Sequence, residues 1–589
     1  MFDSRQRLVV LASILASAIL IGTIGWISTS TVSLIAVTPC HSEFDAGRAI
    51  QYAGVLALNY QNRVTGSDGA RRAAEYLRAQ FVSLGYQVED ETFAMWLEGQ
   101  RVSGENVIAL LPGDTPENLA VIAHYDGQRT SPQAAEDNAS GVGVLLELAR
   151  ELRSARRARG LIFVATDAEE WGMIGARELV GFLKAHHTQA VISIDYLNAG
   201  TARALAIDTG GQFGGHAPMW LRTVLVQAGR AQGVVVQQAS GLAEVIERAV
   251  EISAQDHGPL NHAGIPAVNI ETATNDSEAV RTRYHTPQDV FRDFDPSAFK
   301  MLGATVVQAL TVLDKAQPQA SQDESALLRS ADRFLPGRAI LALQLVGILP
   351  LCLAALLAAR NLLAPHAAGL GKRLIAPALW IVPPAGAMLL LWGLTAAGIL
   401  KRYELYPATP KDPFLYQIPA AVLWPLLLIL VGGFYLAAKL QTRFAPSGLD
   451  FAARKAVLFL WLVALVGAAT LRNAYAAGLF LGPLGYAALL LMPPRRWFWR
   501  VLNLVLLLGA AVPFLALVVS FGVEIFLGWR ILWYLVLQAA YGVWSPYSVC
   551  FFFLATALWC RLIRVSVLES NADNSWSRRH ATRLLVNAL

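Results

Sequence analysis

Leu119-Ala120-Val121-Ile122-Ala123-His124-Tyr125-Asp126 is a short apolar run that ends on a histidine, with a carboxylate two residues further on. Five consecutive apolar residues suit a strand buried on both faces and are too few for a helix. Residues 161–165, 191–194 and 267–270 repeat the pattern, and residues 141–154, 174–186 and 218–232 read as the helices between them. Short apolar strands alternating with helices predict an α/β domain whose sheet is mixed, mostly parallel and flanked by helices.

The polar residues just past these strands carry the chemistry. Glu136-Asp137-Asn138-Ala139-Ser140-Gly141 leads into the helix at 141–154, and Thr166-Asp167-Ala168-Glu169-Glu170-Trp171-Gly172 follows the second strand. Asp195 ends the third strand in an apolar context, where an unpaired charge is costly. Tyr284-His285-Thr286-Pro287 comes after a charge-rich loop. Each has an ordinary explanation alone: a polar strand end, a helix N-cap, a solvated acidic turn. Jointly, four of the five stand at the C-terminal ends of strands, where open α/β sheets place ligands. His, Asp, Glu, Asp and His in that order also form a ligand set for two Zn²⁺ ions sharing one carboxylate.

This ordered set resembles the successive motifs of the M28 family of di-zinc metallopeptidases, which includes aminopeptidases and relatives of glutamate carboxypeptidase. The flanks agree: Arg63-Val64-Thr65-Gly66-Ser67 before an amphipathic helix, Ser253-Ala254-Gln255-Asp256-His257-Gly258-Pro259-Leu260, and Ala263-Gly264-Ile265-Pro266-Ala267. The resemblance spans roughly residues 44–315. It implies two zinc ions per chain, bridged by Asp137, with His124 and Asp195 completing one ion's ligands and Glu170 and His285 the other's. It further implies that Asp126 orients His124. Glu169 would be the general base, taking a proton from the attacking water and passing it to the leaving amine. Tyr284 would be placed to stabilise the oxyanion. A zinc-dependent peptidase acting on peptide substrates, an exopeptidase and specifically an aminopeptidase, is the expectation.

Outside this region the chain changes character. The 589 residues are 55% hydrophobic and 15% charged, against about 25% charged in ordinary soluble domains. Residues 1–335 hold 27 Lys and Arg against 37 Asp and Glu, while residues 336–589 hold 21 against 6. The basic residues cluster between apolar runs, as in cytoplasmic loops of membrane proteins, so nucleic acid is excluded as a partner. Leu8–Ile27 follows Arg5 and Arg7 and is long enough to span a bilayer, whereas a cleaved signal has a core of roughly 7–15 residues. It reads as a signal anchor with its N-terminus inside.

Further apolar runs at 339–359, 374–400, 414–438, 456–471, 474–492, 501–521, 525–543 and 547–563 bring the expected spans to nine. Loops 360–373, 439–455 and 493–500 each carry a surplus of about three positive charges and fall on the side of Arg5 and Arg7. The expected layout is an anchor at 1–40, a peptidase domain at 41–316, a linker at 317–338, an all-α multi-pass membrane domain of about eight helices at 339–564, and a tail at 565–589. Anchor, peptidase and many spans in that order are similar to the vacuolar or endoplasmic-reticulum membrane M28 proteases. The expected location is a lipid bilayer with the catalytic domain on the non-cytoplasmic face. Arginine-rich usage with only 8 Lys suggests a bacterial inner membrane with a periplasmic domain.

The four cysteines support neither a disulfide framework nor a CxxC zinc site. His186 and His187 end a helix and read as caps, and His216 as a helix-start residue. Asp256 and His257 are expected at the pocket's edge. Two rival readings stay open: a catalytically silent binding or scaffolding domain, and single-zinc glutaminyl-cyclase-like chemistry. Oligomeric state is not legible.

Overall fold

The computed structural model describes residues 4–31, 37–97, 100–154, 156–197, 202–251, 253–273, 282–292, 294–315, 326–330, 333–363, 374–397, 399–400, 420–444, 451–476, 533, 536, 539–540 and 546–572. Helix α1 (Ser4–Ile27) leads into the two-residue strand β1 (Ser30–Thr31), and the α/β region follows. Its strands are β2 (Gln87–Leu97), β3 (Gln100–Leu111), β4 (Asn118–His124), β5 (Gly160–Thr166), β6 (Thr188–Ile194), β7 (Ala204–Asp208), β8 (Val236–Gln237) and β9 (Ala267–Ala273). They form one eight-stranded sheet in the order β2-β3-β5-β4-β6-β9-β7-β8.

The four apolar runs are the sheet's centre. β5, β4, β6 and β9 pair in parallel, and β2, β3 and β7 add antiparallel neighbours. The sheet is mixed and mostly parallel, as expected. Every residue of β5 is buried, as a strand covered on both faces requires. The covering helices are α2 (Ala46–Asn59), α3 (Asp68–Ser83), α4 (Ser140–Leu152), α5 (Ile174–Ala185), α6 (Met219–Ala231), α7 (Leu242–Val250) and α8 (His257–His262), then the helix Pro296–Lys315. α2, α4, α6 and Pro296–Lys315 close the larger core on one face. α5 and α8 close the smaller core on the other, through Leu179, Leu183 and Leu260. Contact between α2 and α4 is close at Gly143, where an added Cβ would lie 2.3 Å from the Ala49 carbonyl.

Register decides where the motifs go. Ala123 pairs with Ala165 and His124 with Thr166, while Ile194 pairs with Ile270. The residues that follow, Asp126, Asp167–Glu170, Asp195 and Glu271, therefore come out along one edge of the sheet.

Pro296–Lys315 is apolar enough to cross a membrane by composition, yet it is largely buried, packed on the α/β sheet. Five other described helices are long and apolar enough to span: Leu8–Ile27, Gly337–Asn361, Ala376–Ala396, Ala421–Gln441 and Ala453–Arg472. A shorter apolar stretch, Val549–Leu562, matches the last expected span. The expected spans at 474–492, 501–521 and 525–543 lie almost wholly outside the described residues.

Part of the expected linker is structured. β10 (Leu327–Ser330) and β11 (Arg333–Leu335) form an antiparallel pair, and β11 also pairs with β1. This clamps the end of α1 to the start of the helix Gly337–Ala358. At the opposite end of these two helices the Asn361 amide donates to Gln6 Oε1 at 2.7 Å. The helix Phe451–Arg472 ends against the α/β region: Asn473 Nδ2 donates to the Arg248 carbonyl (2.9 Å) and to Glu251 Oε1 (2.8 Å). The Arg248 guanidinium lies 5.1 Å over the Tyr475 ring.

Candidate metal centre

Four loops at the C-terminal edge of the sheet converge on one buried point. β4 delivers His124, and the turn before α4 delivers Asp137. The turn after β5 delivers Glu169 and Glu170, and β6 delivers Asp195; His285 arrives from a separate segment in a left-handed conformation (φ 53°). The Asp137–Asn138 peptide is cis. Within the Asp-Asn-Ala-Ser-Gly segment the Asn138 side chain accepts the Gly141 N–H (2.9 Å) and donates to the Ile194 carbonyl (2.9 Å). A Cβ on Gly141 would sit 2.3 Å from Asn138 Oδ1, so this turn requires glycine.

The two oxygens of Asp137 face different imidazoles. Oδ1 lies 3.2 Å from His124 Nε2, and Oδ2 lies 2.9 Å from His285 Nε2. Asp195 Oδ1 is 3.3 Å from the same His124 nitrogen, and Glu170 Oε2 is 3.0 Å from the same His285 nitrogen. Two sets of three result, His124–Asp137–Asp195 and Asp137–Glu170–His285, each with ligand atoms within 4.8 Å of one another and all buried.

The donor chemistry fits zinc. An imidazole Nε2 can meet one carboxylate as a donor, but here each is approached by two, and Glu170 Oε1 is buried without a hydrogen-bond partner. Carboxylates gathered out of water are costly unless cations compensate them. Burial opposes charge on His285, but Glu170 and Asp137 raise its pKa to about 10. Burial likewise opposes charge on His124, yet Asp195, Glu169, Asp126 and Asp137 carry it well above the usual value. Burial would raise Asp137, and the two imidazoles outweigh it and lower its pKa. Glu169 is raised well above the ordinary range by burial and by the charges of Asp195, Glu170 and Asp256, against His124.

Around the ligands runs a set of orienting contacts. Asp126 lies 3.4 Å from His124 Nδ1 and accepts the backbone N–H groups of Glu169 (3.1 Å) and Glu170 (3.2 Å). One carboxylate thus fixes both an imidazole and the turn bearing the two glutamates. The Gln128 amide donates to Glu170 Oε2 (3.0 Å), and the Thr130 hydroxyl donates to the His285 carbonyl (2.9 Å). The Tyr284 ring stacks on His285 at 3.7 Å and is 40% exposed, so it borders the open side.

All eight residues named from the sequence come together here. His216 does not join them; it bonds Thr209 (3.1 Å) and the Ala217 carbonyl (3.2 Å) at the approach to α6. His186 bonds the Phe182 carbonyl at the end of α5. Asp256 is buried with Oδ2 2.5 Å from the Thr166 hydroxyl, behind the glutamate turn.

Two supports went unread in the sequence. Arg63 is buried and donates to five carbonyls, those of Leu56, Tyr60, Tyr125, Gln133 and Ala134. Asp289 accepts the N–H of Glu136 (2.7 Å), that of Asp137 (3.4 Å) and the Ser131 hydroxyl (3.2 Å). Asp289 ties the Asp137 turn to the segment that presents His285. Replacing it by Asn keeps the shape but removes the charged acceptor, and hydrogen bonds to charged groups contribute about 1.5–3 kcal/mol. Asp289→Asn should weaken zinc binding by roughly 10–100-fold while leaving kcat near normal at saturating zinc. Competitive zinc titration against a chelating dye measures it; unchanged affinity would refute the role.

Residues 106–310 match the family model Peptidase family M28, so the chain carries an M28 peptidase domain. Over 170 residues the chain is 31% identical to the alkaline phosphatase isozyme conversion protein of Escherichia coli K12, covering 25% of this chain and 49% of that protein. It is 28% identical over 200 residues to aminopeptidase YwaD of Bacillus subtilis 168, covering 33% of this chain and 41% of that one. The chain thus spans less than half the length of these relatives. Among solved structures, a zinc aminopeptidase from Bacillus subtilis aligns with a TM-score of 0.41 at 17% identity, over 48% of this chain and 99% of that one. Glutaminyl cyclase from Porphyromonas gingivalis aligns with a TM-score of 0.40 at 22% identity, over 46% and 100%.

Proposed function

We propose that this chain is a membrane-embedded zinc exopeptidase, an aminopeptidase, with two metal ions sharing Asp137. His124 and Asp195 would hold one ion, and Glu170 and His285 the other. The observation that carries the reading is the opposed direction of the two Asp137 oxygens, one to each imidazole. Zinc bound there would polarise the scissile carbonyl and lower the pKa of the attacking water towards ~7.

The chain's own residues supply the rest. Glu169 takes a proton from the attacking water as its oxygen bonds to the carbonyl carbon, and returns that proton to the amine as the C–N bond breaks. Its turn is held by Asp126, so the carboxylate is in place before substrate arrives. Tyr284, stacked on His285 at the open side, offers its hydroxyl to the developing oxyanion. Burial of the ligand set keeps bulk water away and strengthens each of these interactions.

Purified protein should bind two zinc ions per chain, hydrolyse aminoacyl and peptide substrates, and stop on chelation. Full zinc content without peptide-bond hydrolysis would overturn the reading. One zinc with pyroglutamate formed from an N-terminal Gln peptide would replace it with cyclase chemistry. Intact cellular function in an Asp137→Ala strain would replace it with a binding role.

The peptidase domain belongs, on this reading, to the non-cytoplasmic face, the periplasm of a bacterial inner membrane. Arg5 and Arg7 before the first span and the basic loops at 360–373, 439–455 and 493–500 support it independently of one another. An alkaline phosphatase reporter fused after Lys315 should be active and one fused at residue 447 inactive. The reverse pair would put the peptidase in the cytoplasm.

A further inference from the structure

Register carries a row of polar residues across the sheet. His124 pairs with Thr166 on β5, and Ile122 pairs with Ser193 on β6, which brings Asp195 level with His124. Ile194 pairs with Ile270 on β9, and the Asp195 N–H donates to the Ile270 carbonyl (3.2 Å), so Glu271 stands level with Asp195. Ile192, Ile194, Val268 and Ile270 point into the larger core, so Asp195 and Glu271 share the other face. Neighbouring strands lie about 4.8 Å apart, which puts Glu271 one strand spacing beyond a candidate ligand of the metal centre.

Glu271 belongs to neither ligand set, and it is half-buried. Its Oε2 accepts the Gln255 amide (2.8 Å) and the Asn269 amide (3.4 Å). Among the described residues Oε1 has no hydrogen bond and the carboxylate has no Lys or Arg partner. Burial and the charges of Asp195, Asp208 and Asp137 push its pKa up to about 8. Two of those charges belong to the ligand set that zinc would compensate, and a cation beside Oε1 would favour the ionised carboxylate further.

The strand order β5-β4-β6-β9 assigns the two sides of the scissile bond. Glu169 follows β5 and, on the peptidase reading, returns the proton to the leaving amine, so the leaving portion lies towards β5. The N-terminal residue of the substrate then lies on the β6–β9 side, beside Asp195 and Glu271. Its α-ammonium is one carbon from the scissile carbonyl and meets Asp195 first. Crossing one further strand spacing takes a side chain as long as lysine or arginine. We propose that Glu271 receives the cationic side chain of a substrate whose N-terminal residue is lysine or arginine, making the chain selective for basic N-termini. The proposal rests on the peptidase reading and adds to it a substrate class. Glu271 takes no part in bond breaking and acts only on binding and orientation.

The test uses the zinc-replete full chain and two dipeptides, lysyl-alanine and norleucyl-alanine, which differ only in the side-chain ammonium. The wild type should prefer the lysyl substrate by roughly 10–100-fold in kcat/KM, chiefly through KM, the size expected of one charge-assisted contact. Glu271→Gln keeps the shape and an acceptor for Gln255 but loses the charge, so the lysyl-to-norleucyl ratio should fall close to one. Glu271→Lys should invert it. A variant damaged only in its fold would lower both rates and keep the ratio. Equal rates on the two dipeptides in the wild type would overturn this proposal alone. An unchanged ratio in Glu271→Gln would do the same, and an equal fall on both substrates would move Glu271 to the ammonium group they share. No hydrolysis of either dipeptide would remove the peptidase reading and this proposal together.

Discussion

Glu169→Gln should keep its zinc and lose about 10²–10⁴-fold in kcat, the usual range for removing a positioned general acid–base. Glutamine matches the glutamate in shape and can still accept a hydrogen bond from water but cannot take up its proton, so the substitution removes proton transfer and little else. Glu169 lies outside both three-residue ligand sets, which is why metal content should not change. Stability should not fall either. Burial and the neighbouring Asp195, Glu170 and Asp256 already disfavour its charge, and a neutral amide avoids that cost. KM should change much less than kcat, because the interaction is made in the transition state rather than on binding. The acidic limb of the wild-type kcat profile should vanish in the variant, since that limb needs an ionisable base at this position. Comparable kcat in wild type and variant would transfer the base role elsewhere.

The parts of this fold that were legible are those where one residue type has one explanation. β4, β5 and β6 are buried on both faces, so their sequences are continuous apolar runs and their ends are marked by polar residues. The β2–β3 hairpin was not legible. Much of β2 is exposed on both faces, from Gln87 to Thr92, and alternation cannot show where nothing is consistently buried. β10 and β11 are four and three residues long, too short to stand out as strands; they pair with each other, and β11 also pairs with β1 from the far end of the peptidase region.

The site divides in the same way. His124, Asp137, Glu169, Glu170, Asp195 and His285 are chemically conspicuous at strand ends or in short motifs. Asp289 and Arg63 act on main-chain groups, and nothing in a local sequence says which backbone N–H a carboxylate will accept. The Asp289–Glu136 bond spans 153 residues and the Arg63–Ala134 bond spans 71. Such contacts follow from the register of the sheet, so the fold has to be known first.

Asp137→Ala should abolish both zinc binding and hydrolysis, and it should make the peptidase domain behave like chelated wild type as pH changes. Asp137 is common to both ligand sets, so its loss leaves two protein ligands in each. The pH dependence follows from the metal-free carboxylates. Burial raises Asp167, Asp256 and Asp289 to about 7 and Glu271 to about 8. A folded pKa above the unfolded one gives stability that is complete below the unfolded value, near 4, and is lost as pH rises through 7–8. His285, raised to about 10, acts in the same direction and loses its contribution only as pH climbs towards that value. Asp137 is shifted down, so its own contribution is lost only as pH falls below the ordinary carboxylate range, outside the window in which the raised groups titrate. Chelated wild type should therefore melt progressively lower from pH 5 to pH 8. Zinc-loaded protein should run the other way, because its ligands must shed protons before they bind and affinity rises with pH. At a hundredfold excess of zinc over Kd each ion contributes about 2.7 kcal/mol, and a domain of this size gains roughly 2–4 °C per kcal/mol. The gap between loaded and chelated wild type should exceed ~5 °C at pH 8 and shrink towards pH 5, while Asp137→Ala shows no gap at either pH. Thermal unfolding in detergent, followed with and without zinc, measures both curves. A gap that persists in Asp137→Ala would mean that zinc stabilises the protein from somewhere other than this centre.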